Sequence, residues 1–301
     1  MAEIISAARY NELQGRIAAL LGVGSGDKGY NQNVNSSPQP IGTTIRADHM
    51  NDLRIDFGKV YTHINGREPT TVITVTTDDE ITEALYAAYE TLIAEVEADR
   101  FIIDLTQSTT EVSGANSEKN GATAPWGGTS LPQQINHTVD VSFQNSNERR
   151  GFFNAGGQIR FEAFLDISNV PADTNLAKNQ DWQTMLSNSG QIQFGRAATV
   201  TTGSGTAYAI GNEDLTETFQ KIYLKEGDPT GTYSENQWYI EAKQKNSSTI
   251  TFNIVFWDQD VGTGGADEYV AGFLTSSIVH FRAAGSYVEN DAPSYAKTSD
   301  L

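Results

Sequence analysis

Several groups of residues have types and spacings that chemistry uses. Gly24-Ser25-Gly26-Asp27-Lys28-Gly29 fits G-x-G-x-x-G, the loop that turns backbone N–H groups toward a pyrophosphate. That use requires a strand before the loop and a helix directly after it. Here a helical pattern precedes it and more loop follows, so a flexible loop is expected and no nucleotide. A phosphate-cradling P-loop fails too, because Lys28 is followed by Gly29 and not by Ser or Thr. The run Trp257–Glu268 carries Asp258, Asp260, Asp267 and Glu268, hard oxygen donors of the kind Ca²⁺ takes. It lacks the EF-hand register, so an acidic hairpin between two strands is the simpler expectation and Ca²⁺ the alternative.

His49, His63, His137 and His280 are far apart in the chain and form no HExxH or i, i+4 pair. His49 and His63 share one helical pattern, where packing rather than ligation is expected. No Gly-x-Ser-x-Gly elbow is present, so a serine hydrolase has no anchor. Paired carboxylates of the glycosidase kind are defined by their separation in space, and the mere presence of 38 acids does not argue for them. Asn136-His137-Thr138 and Asn246-Ser247-Ser248 match the glycosylation acceptor. The start MAEIISAARYNELQG has no basic leader followed by an apolar run, so no secretory signal is expected and those acceptors would stay unmodified. Trp182, Trp238, Tyr233 and Tyr239 are aromatics of the type that stacks on sugars, although at strand spacing core packing is the stronger expectation. No catalytic, cofactor-binding or metal-binding residue is therefore assigned, and no enzyme is expected.

The composition narrows the partners. The 301 residues hold 20 Lys+Arg against 38 Asp+Glu, a net charge of -18. Phosphate backbones and anionic membranes are bound by dense cations, so neither nucleic acid nor membrane is an expected partner. No cysteine is present, which excludes disulfides, zinc–thiolate sites and a cysteine nucleophile. No stretch approaches the roughly 18–20 apolar residues of a membrane helix.

The elements that would position these groups fall into two kinds. Residues 1–105 have helical periodicity. Tyr10, Leu13, Ile17, Leu20 and Leu21 share one face, with Ser6 as N-cap and Gly22 as stop. Met50, Leu53, Phe57, Val60 and Ile64 repeat the spacing. Thr77-Asp78-Asp79-Glu80 reads as a capping box ahead of a stripe through Ile81, Leu85, Ala88, Leu92 and Val96. Ile5–Leu13 and Ile45–Leu53 also share a skeleton of Ile, Ala, an apolar residue, Asn, an acid and Leu, offset by 40, which implies a related helix pair. Residues 106–134, rich in Ser, Thr and Gly, read as a linker or long loop in which Trp126 docks on something. From 135 to 301 the period becomes two: Val139, Val141 and Phe143; Ile159, Phe161 and Ala163; the even positions of Ile250–Trp257; and further runs at Phe219–Leu224, Trp238–Ala242 and Phe273–Phe281. Asn154–Phe161 and Asn188–Phe194 both read as a glycine turn feeding an alternating strand, with Gly156 and Gly157 fixing the first and Phe152, Phe153, Ile159 and Phe161 building the core. The expected fold is α+β and multi-domain: an N-terminal small helical domain followed by a C-terminal antiparallel β-sandwich.

Two stretches resemble known proteins. ISAARYNELQGRIAALLGVGSGDKGYNQ with GTTIRADHMNDLRIDFGKVYTHING is similar to the helical module of virion structural proteins of tailed bacteriophages, marine cyanophage-like phages among them. There an Ile-x-Ala-x-x-Tyr-Asn-x-Leu helix is followed by a Gly-rich loop ending in Gly-Tyr-x-Gln, here Gly29-Tyr30-Asn31-Gln32. Arg149–Phe161, Asp181-Trp182 with Gly190–Phe194, and Asp267–Gly272 resemble β-domains of phage tail and fibre-like proteins. The resemblance covers most of 1–67 and 139–280 and carries no catalytic signature. It implies a virion building block made in the host cytoplasm, associated with tail, neck or collar, or tail fibre, in contact with other virion proteins and forming a homo-oligomer or symmetric array. A capsid decoration protein and a host-glycan-binding receptor module are the alternatives, and a polysaccharide depolymerase is a third reading.

Overall fold

The computed structural model describes residues 6–72, 74–76, 79, 81–170, 176–259 and 268–301. In chain order they form helices α1 Ala7–Leu21, α2 Ala47–Asn65 and α3 Glu83–Ala98; strands β1 Ser108–Val112, β2 Ser117–Asn120 and β3 Gln134–Ser142; helix α4 Ser146–Asn154; strand β4 Gln158–Asp166; and helix α5 Leu176–Ser189. The strands β5 Ile192–Phe194, β6 Thr199–Thr201, β7 Thr206–Ala207, β8 Gln220–Glu226, β9 Gln237–Asn246, β10 Thr249–Trp257, β11 Phe273–Ala283 and β12 Ser294–Ser299 follow. The fold is thus mixed, with five α-helices and two antiparallel sheets among the described residues.

The chain divides into two compact units, and neither is a single stretch. One comprises residues 1–110, 145–157 and 281–292; the other comprises 111–144, 158–280 and 293–301. The expected divisions at 1–105, 106–134 and 135–301 follow the chain, whereas the units are set by contacts between distant segments. Within 106–134 the backbone forms β1 and β2, although the Ser/Thr/Gly content reads as loop.

In the first unit α1 begins at Ser6, whose hydroxyl accepts from the Arg9 N–H, and ends at Gly22. This satisfies one of the donors a helix N-terminus leaves open. The α1 and α2 stripes are buried as expected. The third helix differs. Thr77, Asp78 and Glu80 lie outside the described residues, and α3 is capped instead by Thr82, which accepts from the Leu85 N–H. Its buried face is Tyr86, Tyr89, Ile93 and Val96, while Leu85 and Leu92 are only partly buried. The tyrosines win because each brings a large ring to the interface, and a count of aliphatic residues shifts the stripe by one position.

Aligned on these faces, the three helices follow one pattern. Ser6, Arg46 and Thr82 are the N-caps. Tyr10, Met50 and Tyr86 come next, then Leu13, Leu53 and Tyr89, then Ile17, Phe57 and Ile93, then Leu20, Val60 and Val96, all at most 1% exposed. The first two helices also share a clamp. Asn11 donates to the Gln39 carbonyl (2.8 Å) and accepts from the Gln39 N–H (2.7 Å). Asn51 does the same with Val75, at 2.8 and 2.9 Å. One turn on, Gln14 donates to the Ser36 carbonyl and Arg54 to the Val72 carbonyl. Helices α1 and α2 therefore each pin the segment that follows by both backbone groups of one residue, and those groups would otherwise need other partners.

In the second unit one sheet has the order β1-β11-β4-β5-β6, with β2 also paired to β11; the other runs β12-β3-β10-β9-β8-β7. β10 lies between β3 and β9, with Phe252 opposite Val139 and Ala242, and Phe256 opposite Ile135 and Trp238. Phe161 on β4 and Phe194 on β5 meet Phe252 of the other sheet, ring centroids 4.9 and 5.1 Å apart. Ile159 and Phe161 take their expected core places. Phe152 and Phe153, expected in the sandwich core, are buried instead on α4, a helix of the first unit that strand periodicity does not anticipate.

Candidate functional site

Lys178, Tyr233, Asp258 and Glu268 of the second unit gather at one buried place. β10 ends at Trp257, and Asp258 follows it, fully buried. Its Oδ2 receives the ammonium of Lys178 at 2.7 Å and the N–H of Gly128 at 2.9 Å. Lys178 lies in the first turn of α5, fully buried, and also donates to the Glu268 carbonyl oxygen at 2.9 Å. The Glu268 carboxylate accepts from the Tyr233 hydroxyl at 2.8 Å, and the Tyr233 ring centroid is 5.7 Å from the ammonium. The next residue on α5, Asn179, accepts from the N–H groups of Ala271 and Gly272. One helix end thus fixes residues 268–272.

Aromatic residues adjoin these groups along the chain. Trp126 meets Trp182 edge-on at 4.8 Å, and both rings lie near Phe256. Trp238 stacks on Phe256 at 6.2 Å and meets Tyr223 at 5.2 Å. Trp126 therefore docks, as expected, on the aromatic core. Trp182, Trp238, Tyr233 and Tyr239, considered as a sugar platform, are at most 8% exposed and belong to the interior. Gly127 and Gly128 take positive φ, 79° and 74°. A side chain at Gly127 would collide with the Asp258 carboxylate, so glycine lets the backbone close over that oxygen.

Of the acids considered for Ca²⁺, Asp258 holds the Lys178 ammonium and Glu268 accepts from Tyr233. Asp260 and Asp267 lie outside the described residues. No group of three or more potential metal ligands occurs among the described residues.

The histidines are separate structural groups. His137 donates through Nε2 to the Ala115 carbonyl (2.8 Å), which leaves Nδ1 to accept from the Ser276 hydroxyl (2.9 Å). Burial holds its pKa down at about 4. His63, on α2, bonds the Ala155 carbonyl at 3.1 Å, and burial lowers its pKa to about 4 as well. His280 lies between Glu111 (3.0 Å) and Tyr295 (3.1 Å). His49 accepts from the Arg46 N–H at the start of α2.

The glycine-rich loop is explained by its own backbone. Gly24, Gly26 and Gly29 all have positive φ, and a side chain at Gly29 would collide with the Val23 carbonyl. The chain then returns to the end of α1, with Tyr30 and Gln32 N–H groups bonded to the Leu20 and Leu21 carbonyls. Gly156 has φ 83°, and a Cβ there would come within 2.9 Å of the Phe101 carbonyl oxygen, so the turn before β4 needs glycine. Gly190, before β5, has φ 62°.

An open groove of about 400 Å³ in the second unit is lined by Glu162, Phe164, Leu186, Gln191, Thr202 and Thr275 among others. Phe164 is half exposed there, and Glu162 accepts from Gln191 at 2.9 Å. No helix among the described residues is long and apolar enough to cross a membrane. No family model, curated protein or solved structure matches the chain.

Proposed function

We propose that this chain is a structural component of a tailed-bacteriophage virion, associated with the tail, the neck or collar, or a tail fibre, that assembles through protein–protein contacts without catalysis. Its organisation is a helical domain followed by an antiparallel β-sandwich. The meeting of Phe161 and Phe194 with Phe252 across two sheets supports the sandwich, and the three equivalent helices support the helical domain. The observation that carries the functional reading is the use made of the reactive side chains. Lys178, Asp258, His63 and His137, the groups best suited to acid–base or nucleophilic work, are each at most 1% exposed and engaged in internal hydrogen bonds. Such groups hold a fold together and do not face a substrate. The resemblance of 1–67 and 139–280 to phage virion proteins supplies the context, and copies of the chain packed about a symmetry axis follow from it.

Cryo-electron microscopy of the assembled particle tests this reading. Density for ordered copies at the tail, neck or a fibre is the expected result. Particles that lack the chain altogether would refute it. The groove beside Phe164 favours a second reading, a module that binds host glycans, since a half-exposed ring among carboxylate, amide and hydroxyl groups suits a sugar. Binding of the full chain to a glycan array, lost in Phe164→Ala, would support that reading.

A further inference from the structure

The Lys178–Asp258 pair has the arrangement of an amide bond about to form. We propose that the Lys178 Nζ and the Asp258 Cγ become joined in an intramolecular isopeptide bond, a covalent staple between α5 and the end of β10. The inference stands on the chemistry of the cluster and not on the virion reading.

Four observations bear on it. The amine and the carboxyl group are 2.7 Å apart and both fully buried, so their encounter is fixed and shielded from competing water. The Gly128 N–H points at the same carboxyl oxygen, at 2.9 Å. That is the position of a donor stabilising the negative charge that develops there when a nucleophile adds to the carbon. The backbone carbonyl of Glu268 accepts from the Nζ at 2.9 Å and orients the nitrogen. Glu268 also brings a second carboxyl group to the cluster, 8% exposed and hydrogen-bonded to Tyr233. With both groups fully buried, a plain ion pair is expensive here, since burying two charges costs more than burying two neutral groups.

The step balances without any co-reactant. A proton passes from the ammonium to the carboxylate, giving a neutral amine and a carboxylic acid. The nitrogen lone pair adds to Cγ, and the former carbonyl oxygen takes the negative charge. One proton then leaves the nitrogen by way of Glu268 for the hydroxyl on Cγ, the C–O bond breaks, and water departs. The sum is ammonium plus carboxylate giving amide plus one water. In a chain with no cysteine, such a bond closes a loop from residue 178 to residue 258 and restricts the unfolded state as a disulfide would.

Intact-mass spectrometry of the full-length, folded protein decides the matter. The expected mass is lower than the sequence mass by one water. A digest should then yield one branched peptide containing both Lys178 and Asp258. Lys178→Arg and Asp258→Ala should restore the full mass expected for each sequence. Asp258→Asn should change the loss from one water to one ammonia, and Glu268→Gln should leave a fraction of unlinked chain. Folded wild-type protein with the full sequence mass, and with Lys178 recovered in an unbranched peptide, would overturn the proposal even if every variant failed to fold. Complete linkage in Glu268→Gln would overturn the relay.

Discussion

Acidification should weaken the first unit through one residue, His63. It lies on the inner side of α2, 1% exposed, with Nε2–H donated to the Ala155 carbonyl and its ring 5.0 Å from that of Tyr30. Its other nitrogen, Nδ1, has no partner among the described residues, so a second proton there would be buried and unbonded. Burial accordingly lowers the pKa from 6.5 to about 4. On acidification the unfolded chain takes up this proton first, so stability must fall as the pH drops below about 6.5 and stop responding below about 4. Within that window the slope is about 1.4 kcal/mol per pH unit, which gives a loss of about 2 kcal/mol between pH 7 and pH 5. Urea unfolding of wild type and His63→Gln at several pH values isolates this contribution, because the carboxylates are common to both chains. The wild type should lose about 2 kcal/mol relative to the variant over that range. An NMR titration of the native protein should show the His63 ring unchanged until close to pH 4. A ring that titrates near pH 6.5 in the folded state, or two stability curves that stay parallel, would refute the reasoning.

Two further outcomes follow from buried contacts. Asp56 on α2 is fully buried and accepts from the N–H groups of Asn35 and Ser36, the Ser36 hydroxyl and the Lys59 ammonium. Asp56→Ala leaves these donors without their acceptor and should cost about 3–5 kcal/mol in urea unfolding; a cost below about 1 kcal/mol would mean that water replaces the carboxylate. Phe161→Asp should yield no soluble folded protein, because it places an unpaired charge against Phe252. A monomeric variant with the wild-type circular dichroism spectrum would contradict the core assignment.

How far the fold can be read from the chain depends on whether a residue type announces its environment. Ser6 and Gly22 bound α1 because capping is a local interaction. Ile250–Trp257 is legible as a strand because its even positions are apolar throughout. Helix α5 is not legible in the same way. Its buried face runs through Lys178, Asn179, Trp182, Met185, Leu186 and Ser189, so polar residues occupy interior positions and the helical period is hidden. Helix α4 conceals itself similarly, burying Arg149 and Asn154 beside Phe152 and Phe153. The candidate site was legible only in pieces. The sequence marks Asp258 and Glu268 as acids on a turn and Trp126 as a docking residue, but nothing local pairs Asp258 with a lysine 80 positions earlier.

The same polar groups show how the helical repeat is used and where it ends. In α1 and α2 an asparagine grips the following segment, and that grip turns a loop into a fixed edge. In α3 the equivalent position is Ala87, whose side chain has neither a donor nor an acceptor to offer. What α3 carries instead is a row of acids seven residues apart: Glu83 and Glu90 meet Arg9, and Glu97 meets Arg16. Arg9 also lies over the Tyr86 ring at 4.3 Å. These pairs are part-exposed, so each contributes little to stability, but their spacing matches the rise of two helices lying side by side. They fix register where apolar packing alone would tolerate sliding. The first two helices thus order backbone, and the third orders the position of one helix on another.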